Sequence, residues 1–250
     1  SRIILAVGAG LFALLLAACG DSNTVPGFGG GTICASDDPE VGDTIDLRRM
    51  GSGGWAVPSI VEENVITFRR HEAKYVLLIE KDAVWTRFNE DKFWKRNRCI
   101  IIQGGGQPPR GVRRLVQRMH SELGLPVYVL VDNDPWGFYI YSVMKQGSIN
   151  LAYESMRMAV PDARFVGLSS FDRAKYQLPA NVAIKMEDRD NSRARQMLAY
   201  PWFKKAHWQR EIQEMVKSGL KFELEALSRS LLCVVEGKGR VALVSGEAGV

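Results

Sequence analysis

The sequence predicts an α/β fold: a parallel sheet with helices on both faces, followed by a helical extension toward the C-terminus. Three runs are apolar without alternation, at 75–80 (YVLLIE), 99–102 (CIII) and 126–131 (PVYVLV). Unalternated runs mark strands buried on both faces, as in a parallel sheet. Stretches with helical apolar spacing stand between and after them. The connections are also long enough for right-handed crossovers.

Taken in order, residues 1–33 form a leader apart from the rest. Residues 3–18 are almost wholly apolar, follow Arg2 and lead into Cys19. That pattern is similar to a lipoprotein signal, in which Leu16, Ala17, Ala18 and Cys19 form the lipobox, and the run suits a signal h-region better than a membrane span. Export with lipid attachment at Cys19 is one reading. A foreign leader on a cytoplasmic, DNA-associated body is the other, and the body favours it. Residues 34–70 are a lead-in of loops and short strands, rich in glycine around 51–54, with a strand expected at 65–68.

The domain at 71–172 carries the sheet. After the first run, residues 82–95 have helical spacing through Val84, Phe88 and Phe93. Gly104, Gly105 and Gly106 close the second run. A basic helix is expected at 110–123 with Val112, Leu115, Val116 and Met119 inward. A further helix is expected at 136–147, and a short strand at 164–168. Residues 173–230 read as a helical extension, with an amphipathic helix at 203–217 burying Trp208, Ile212 and Met215. Residues 231–250 form an atypical tail.

Composition bounds the chemistry. With 46% hydrophobic residues the chain can bury a core, and its net charge of +5 permits a polyanionic partner without requiring one. Cys19, Cys34, Cys99 and Cys233 contain no CxxC pair, which argues against structural zinc. His71, His120 and His207 lack metal-ligand spacing and read as structural or surface residues.

In a parallel sheet all strand carboxyl ends share one edge, where ligands bind. Glu80 ends the first run, Asp132 follows the third, and Asp134 stands two residues on. Three carboxylates on one rim repel one another unless a cation intervenes. Oxygen donors beside a glycine loop suit Mg²⁺ and a phosphate or phosphodiester. Asp-x-Asp after a strand also occurs in phosphatases and sugar transferases. The two aspartates could equally be caps of the helix opening near Pro135 and Trp136. Arg110, Arg113, Arg114 and Arg118 recur near helical spacing from the same rim; either they form a solvated face or they meet phosphate, with Arg110 and Arg113 the best candidates.

Several motifs stand in a shared order: Glu80-Lys81-Asp82-Ala83, Gly106-Gln107-Pro108-Pro109-Arg110, Asp132-Asn133-Asp134-Pro135-Trp136-Gly137, Lys145-Gln146-Gly147-Ser148, Val166-Gly167-Leu168 and Tyr200-Pro201-Trp202. With Gly42–Asp46 and Ala56–Pro58 upstream, this text resembles the A subunit of topoisomerase VI across about residues 42–229. That family shares its fold with meiotic double-strand-break proteins. The resemblance implies a Toprim fold. It also implies Mg²⁺ held by Glu80, Asp132 and Asp134, with a general acid/base role at Glu80. Lys81, read from its place beside the acids, either touches phosphate, joining Arg110 and Arg113 as a DNA contact, or pairs with a carboxylate. The family's partners would be double-stranded DNA, an ATP-binding B subunit and a second copy of the A subunit.

The family's attacking tyrosine belongs to a winged-helix domain ahead of the Toprim part, which nothing here resembles. Tyr75, Tyr128, Tyr139, Tyr141, Tyr153, Tyr176 and Tyr200 read as packing or surface residues, so no nucleophilic tyrosine is assigned and no cleavage by this chain alone is expected. Two other classes remain: a non-catalytic Toprim-like module binding DNA or a partner, and an independent Mg²⁺-dependent phosphatase or nuclease.

Overall fold

The structure, a computed structural model, describes residues 43–69, 71–147, 152–172 and 182–224, with three short backbone strands before them. These are β1 (Ile4–Ala6), β2 (Ala17–Ala18) and β3 (Thr32–Ala35). Otherwise the leader, and all of the 231–250 tail, lie outside the described residues. The chain divides into two compact units. The first comprises Ser1–Tyr128 and Gln146–Ala163, the second Val129–Lys145 and Arg164–Val250. Among the described residues no helix is long and apolar enough to cross a membrane.

In the first unit the lead-in forms β4 (Asp43–Asp46), β5 (Trp55–Ala56) and β6 (Ile66–Phe68). β3 runs antiparallel to both β4 and β6. The sheet proper begins with β7 (Tyr75–Ile79), which pairs in parallel with β8 (Cys99–Gln103) from Tyr75↔Cys99 to Ile79↔Gln103. β1 runs parallel to β8 on its other side and to β5. Val76 through Ile79 and Cys99 through Ile102 are all buried, as expected for strands covered on both faces.

The expected helix at 82–95 is two helices, α1 (Asp82–Glu90) and α2 (Phe93–Asn97). Lys92 between them takes a left-handed conformation, φ 51°, so the backbone breaks while Phe88 and Phe93 still pack together at 4.6 Å between centroids. The basic helix α3 (Arg110–Leu123) has the expected bounds, and Val112, Leu115, Val116 and Met119 face inward. Its burial goes further than expected. Arg118 is 1% exposed and Arg113 8%, so the series is not one solvated face. Arg118 donates to the carbonyls of Val61 (2.6 Å) and Ile66 (2.8 Å), pairs with Glu122 and stacks over Phe68. It ties the lead-in to the helix.

β9 (Val127–Leu130) crosses the division between the units. In the second unit, α4 (Pro135–Gln146) follows it, and the Val131 N–H donates to the Val166 carbonyl of β10 (Arg164–Val166). α5 (Ala152–Met158) belongs to the first unit. The extension contributes β11 (Ala183–Lys185), α6 (Asp188–Met197), α7 (Ala206–Ser218) and β12 (Leu220–Phe222). Expected as helical, it also holds the antiparallel pair β11 and β12. Trp208, Ile212 and Met215 are buried as expected. Trp208 is the hub of an aromatic cluster, with Phe138, Phe165, Phe203 and Tyr141 rings 5.2–5.6 Å away.

Candidate metal centre and its supporting network

The acids expected at the sheet's carboxyl edge fall in both units. Glu80 follows β7 in the first. Its carbonyl accepts from the Gly106 N–H at 3.0 Å, and the Ile79 carbonyl accepts from Gly104 at 2.7 Å. The glycine loop therefore holds the end of β7. Gly105 and Gly106 take positive φ, 64° and 78°, which lets the chain turn back over that strand end. Two of the loop's N–H groups are thus spent on backbone. Lys81 stands at the N-cap position of α1, and Gln103 at the end of β8 donates to Asp82. Arg110 is exposed and pairs with Glu154 at 2.8 Å. Arg113 is buried, so the two arginines expected to meet phosphate are split: only Arg110 stands open to solvent. Arg114 is pinned to Glu62 at 2.8 Å, and its hydrogen bond holds the Glu62 carboxyl below the usual carboxylate range.

Asp132 and Asp134 follow β9 in the second unit. Asp132 is buried, and its Oδ1 accepts from the Leu224 N–H at 2.8 Å. Asp134 Oδ1 accepts from the Gly137 N–H at 2.6 Å. That is a helix cap, with Pro135 opening α4, so the capping role left open by the sequence is real for Asp134. Two glycines permit the close packing here. A Cβ on Gly137 would stand 2.5 Å from the Asp132 carbonyl, and one on Gly167 2.6 Å from the Val131 carbonyl.

Burial pushes the Asp134 carboxyl up. The Gly137 hydrogen bond and the charge of Lys221 oppose this, and the charge of Asp190 adds to it. Burial also acts on Asp190, but the hydrogen bond from Lys221 at 2.8 Å outweighs it, with help from the Glu187 N–H and Trp136, and its carboxyl is held low. Trp136, 37% exposed, donates from its indole N–H to Asp190 at 3.0 Å, and Arg193 stacks over the rings of Trp136 and Tyr139.

Between the two aspartates lies Asn133, which the sequence did not single out. It is wholly buried, and its Nδ2 donates to the Leu168 carbonyl (2.9 Å) and to Glu211 of α7 (3.0 Å). No local signal in the sequence marks this link, which joins residues far apart in the chain.

Among the described residues, no three His, Cys, Asp or Glu side chains form a ready group for a metal ion. The donor set nonetheless suits a hard dication. Asp132 and Asp134 offer carboxylate oxygens, and a buried carboxyl pushed upward gains most from a nearby cation.

Of the expected tyrosines, Tyr75 and Tyr128 pack edge to face at 5.4 Å, and burial pushes the Tyr75 hydroxyl up. Tyr141 is buried in the aromatic cluster. Tyr153 and Tyr176 have side chains outside the described residues.

The Toprim-domain model of the topoisomerase 6 A subunit and Spo11 matches residues 75–237, running past residue 229, where the motif resemblance ends. The chain is 44% identical over 196 residues to the type 2 DNA topoisomerase 6 A subunit of Hyperthermus butylicus, covering 75% of this chain and 50% of that protein. It is 43% identical over 200 residues to that of Pyrococcus horikoshii, covering 76% and 52%. The DNA topoisomerase 6 A subunit of Arabidopsis thaliana is 38% identical over 199 residues, covering 79% and 45%. The chain thus spans about half the length of the curated relatives it matches. A parallel α/β arrangement, acids following its strands and a family match over most of the described residues agree: this chain belongs to the Toprim-domain family of the topoisomerase 6 A subunit and Spo11.

Proposed function

We propose that this chain supplies the Mg²⁺-holding Toprim site in the A subunit of a type IIB DNA topoisomerase, which serves double-strand cleavage and religation. Glu80, Asp132 and Asp134 would hold the ion. When bound, it would neutralise charge on the phosphodiester and its leaving oxygen. Glu80 is the general acid/base at the reacting oxygen. Lys81 and Arg110 contact backbone phosphates without reading sequence. The attacking tyrosine is not assigned to this chain. The partners on this reading are double-stranded DNA, an ATP-binding B subunit and a second copy of the A subunit, and the work is done in the cytoplasm.

The carrying observation is the Asp132–Asp134 pair: two aspartates just beyond β9, one of them buried and the other with its carboxyl pushed up by burial. A second reading, a Toprim module that binds DNA or a partner without metal, draws support from the capping bond of Asp134 to Gly137. Calorimetric titration of Mg²⁺ into the chain at neutral pH, repeated with Asp134→Ala, separates the two. Saturable binding in the parent that the variant loses supports the metal site. Equal heats in both would leave Asp134 a cap and favour the second reading.

A further inference from the structure

We infer that Glu211 is a positioning residue for the metal-binding aspartates, acting through Asn133. The inference rests on the proposed Mg²⁺ site and concerns how that site is held.

A residue between two functional acids shares their backbone, so whatever fixes it fixes them. Asn133 is fixed on every side. Its N–H donates to the Phe222 carbonyl at 2.9 Å, and its own carbonyl accepts from the Phe222 N–H at 3.0 Å. Its Nδ2 donates to the Leu168 carbonyl and to Glu211 Oε1, and its Oδ1 accepts from the Ser170 hydroxyl at 3.3 Å.

Glu211 gathers the same neighbourhood. Besides Asn133, its Oε1 accepts from the Ser170 N–H at 2.6 Å, and its Oε2 from the Ser169 hydroxyl at 2.6 Å. One carboxylate on α7 thus binds the loop after β10 to the centre of Asp132-Asn133-Asp134. Outer partners of this kind orient the groups that hold an ion. With Asn133 clamped, the backbone of Asp132 and Asp134 is set before an ion arrives, and less is left to order on binding. Glu211 needs no contact with metal or DNA for this.

The test is Mg²⁺ affinity by calorimetry on the full chain, with thermal melting as a control. Glu211→Ala is expected to weaken Mg²⁺ binding about 10–100-fold, the usual cost of losing an outer partner. Asn133→Ala, which also loses the bonds to Leu168 and Ser170, should weaken binding at least as much, and the double variant should be no weaker than Asn133→Ala alone, because Glu211 acts through Asn133. Glu211→Gln keeps a carbonyl acceptor for Asn133 and Ser170, while the Ser169 hydroxyl can turn to accept from its amide; it should restore near-parent affinity. Should Glu211→Ala not fold, Ser169→Ala removes one bond to Glu211, with roughly a fivefold loss expected for one hydrogen bond. A folded Glu211→Ala that binds Mg²⁺ like the parent, or a Ser169→Ala that does so where Glu211→Ala is unfolded, overturns the inference. So does a Glu211→Gln as weak as Glu211→Ala. If the parent itself binds no Mg²⁺, the metal site fails first, and the positioning role with it.

Discussion

Asp134 has two roles that pull on stability in opposite directions. As a cap it supports α4; as a buried carboxylate it opposes folding wherever it must ionise. Its folded value lies above the ordinary one, chiefly because of burial. Such a group contributes its full stability below the ordinary aspartate value and loses it as pH rises through the folded value. Asparagine caps helices as well as aspartate and carries no charge. Asp134→Asn should therefore raise the urea midpoint of the metal-free chain at neutral pH, with the advantage shrinking toward pH ~3, below the ordinary aspartate value. On the proposed metal site, saturating Mg²⁺ should reverse the order, because only the parent keeps the carboxylate. Midpoints that coincide at neutral pH without metal would show that burial of this carboxylate costs the fold nothing.

At the scale of the element, α3 was legible to the residue, and its charges were not. Paired prolines before Arg110, a clear apolar stripe and Gly124 after Leu123 set its ends. The break between α1 and α2 left no such mark, because apolar spacing continues from Phe88 to Phe93 while the chain turns left-handed at Lys92. β11 and β12 are too short for alternation to be read, and each finds its partner only across an intervening pair of helices. The proposed acids Glu80, Asp132 and Asp134 were legible because Glu80 and Asp132 directly follow the apolar runs that form β7 and β9, with Asp134 two residues on. Asn133 and Glu211 were not, since their meaning lies in one long-range bond. Arg118 is the same lesson in the helix: its charge suggests solvent, while its contacts lie under the lead-in. Arg118→Ala would leave the Val61 and Ile66 carbonyls without this donor and remove the ion pair with Glu122. The expected cost is about 3 kcal/mol, the scale of an interrupted buried ionic contact. Arg114→Ala, on the more exposed Glu62 pair, should cost about 1 kcal/mol or less. Chemical unfolding of the two variants checks the contrast, and equal losses would deny Arg118 its structural role.

Across the whole molecule, carboxylates with opposite shifts decide how acid acts on the fold. In the first unit, burial would raise Asp46, but hydrogen bonds and charge from Arg48 hold it low, and Glu62 is held low by Arg114. In the second unit, Asp190 is held low by Lys221 despite its burial. Groups with depressed values contribute stability above their ordinary values and lose it as pH falls through the folded ones. Asp134 runs the other way, gaining as it takes up a proton. Among the described residues the depressed groups lie in both units and outnumber it, so the metal-free chain should lose stability on acidification, mostly below pH ~4.5, where ordinary carboxylates begin to protonate. The two units should differ in how a substitution changes that loss. Glu62→Gln removes a depressed carboxyl from the first unit and should flatten the acid limb modestly, since its pair with Arg114 is partly exposed. Asp190→Asn removes one from the second unit, strands Lys221 and should lower stability at neutral pH more than in acid, because the stability a depressed carboxyl contributes is lost as pH falls through its folded value. Urea midpoints followed from neutral pH down to pH ~3 for the parent and both variants test this. A parent midpoint that holds steady or rises on acidification would mean that the buried Asp134 outweighs the ion-paired carboxylates of both units.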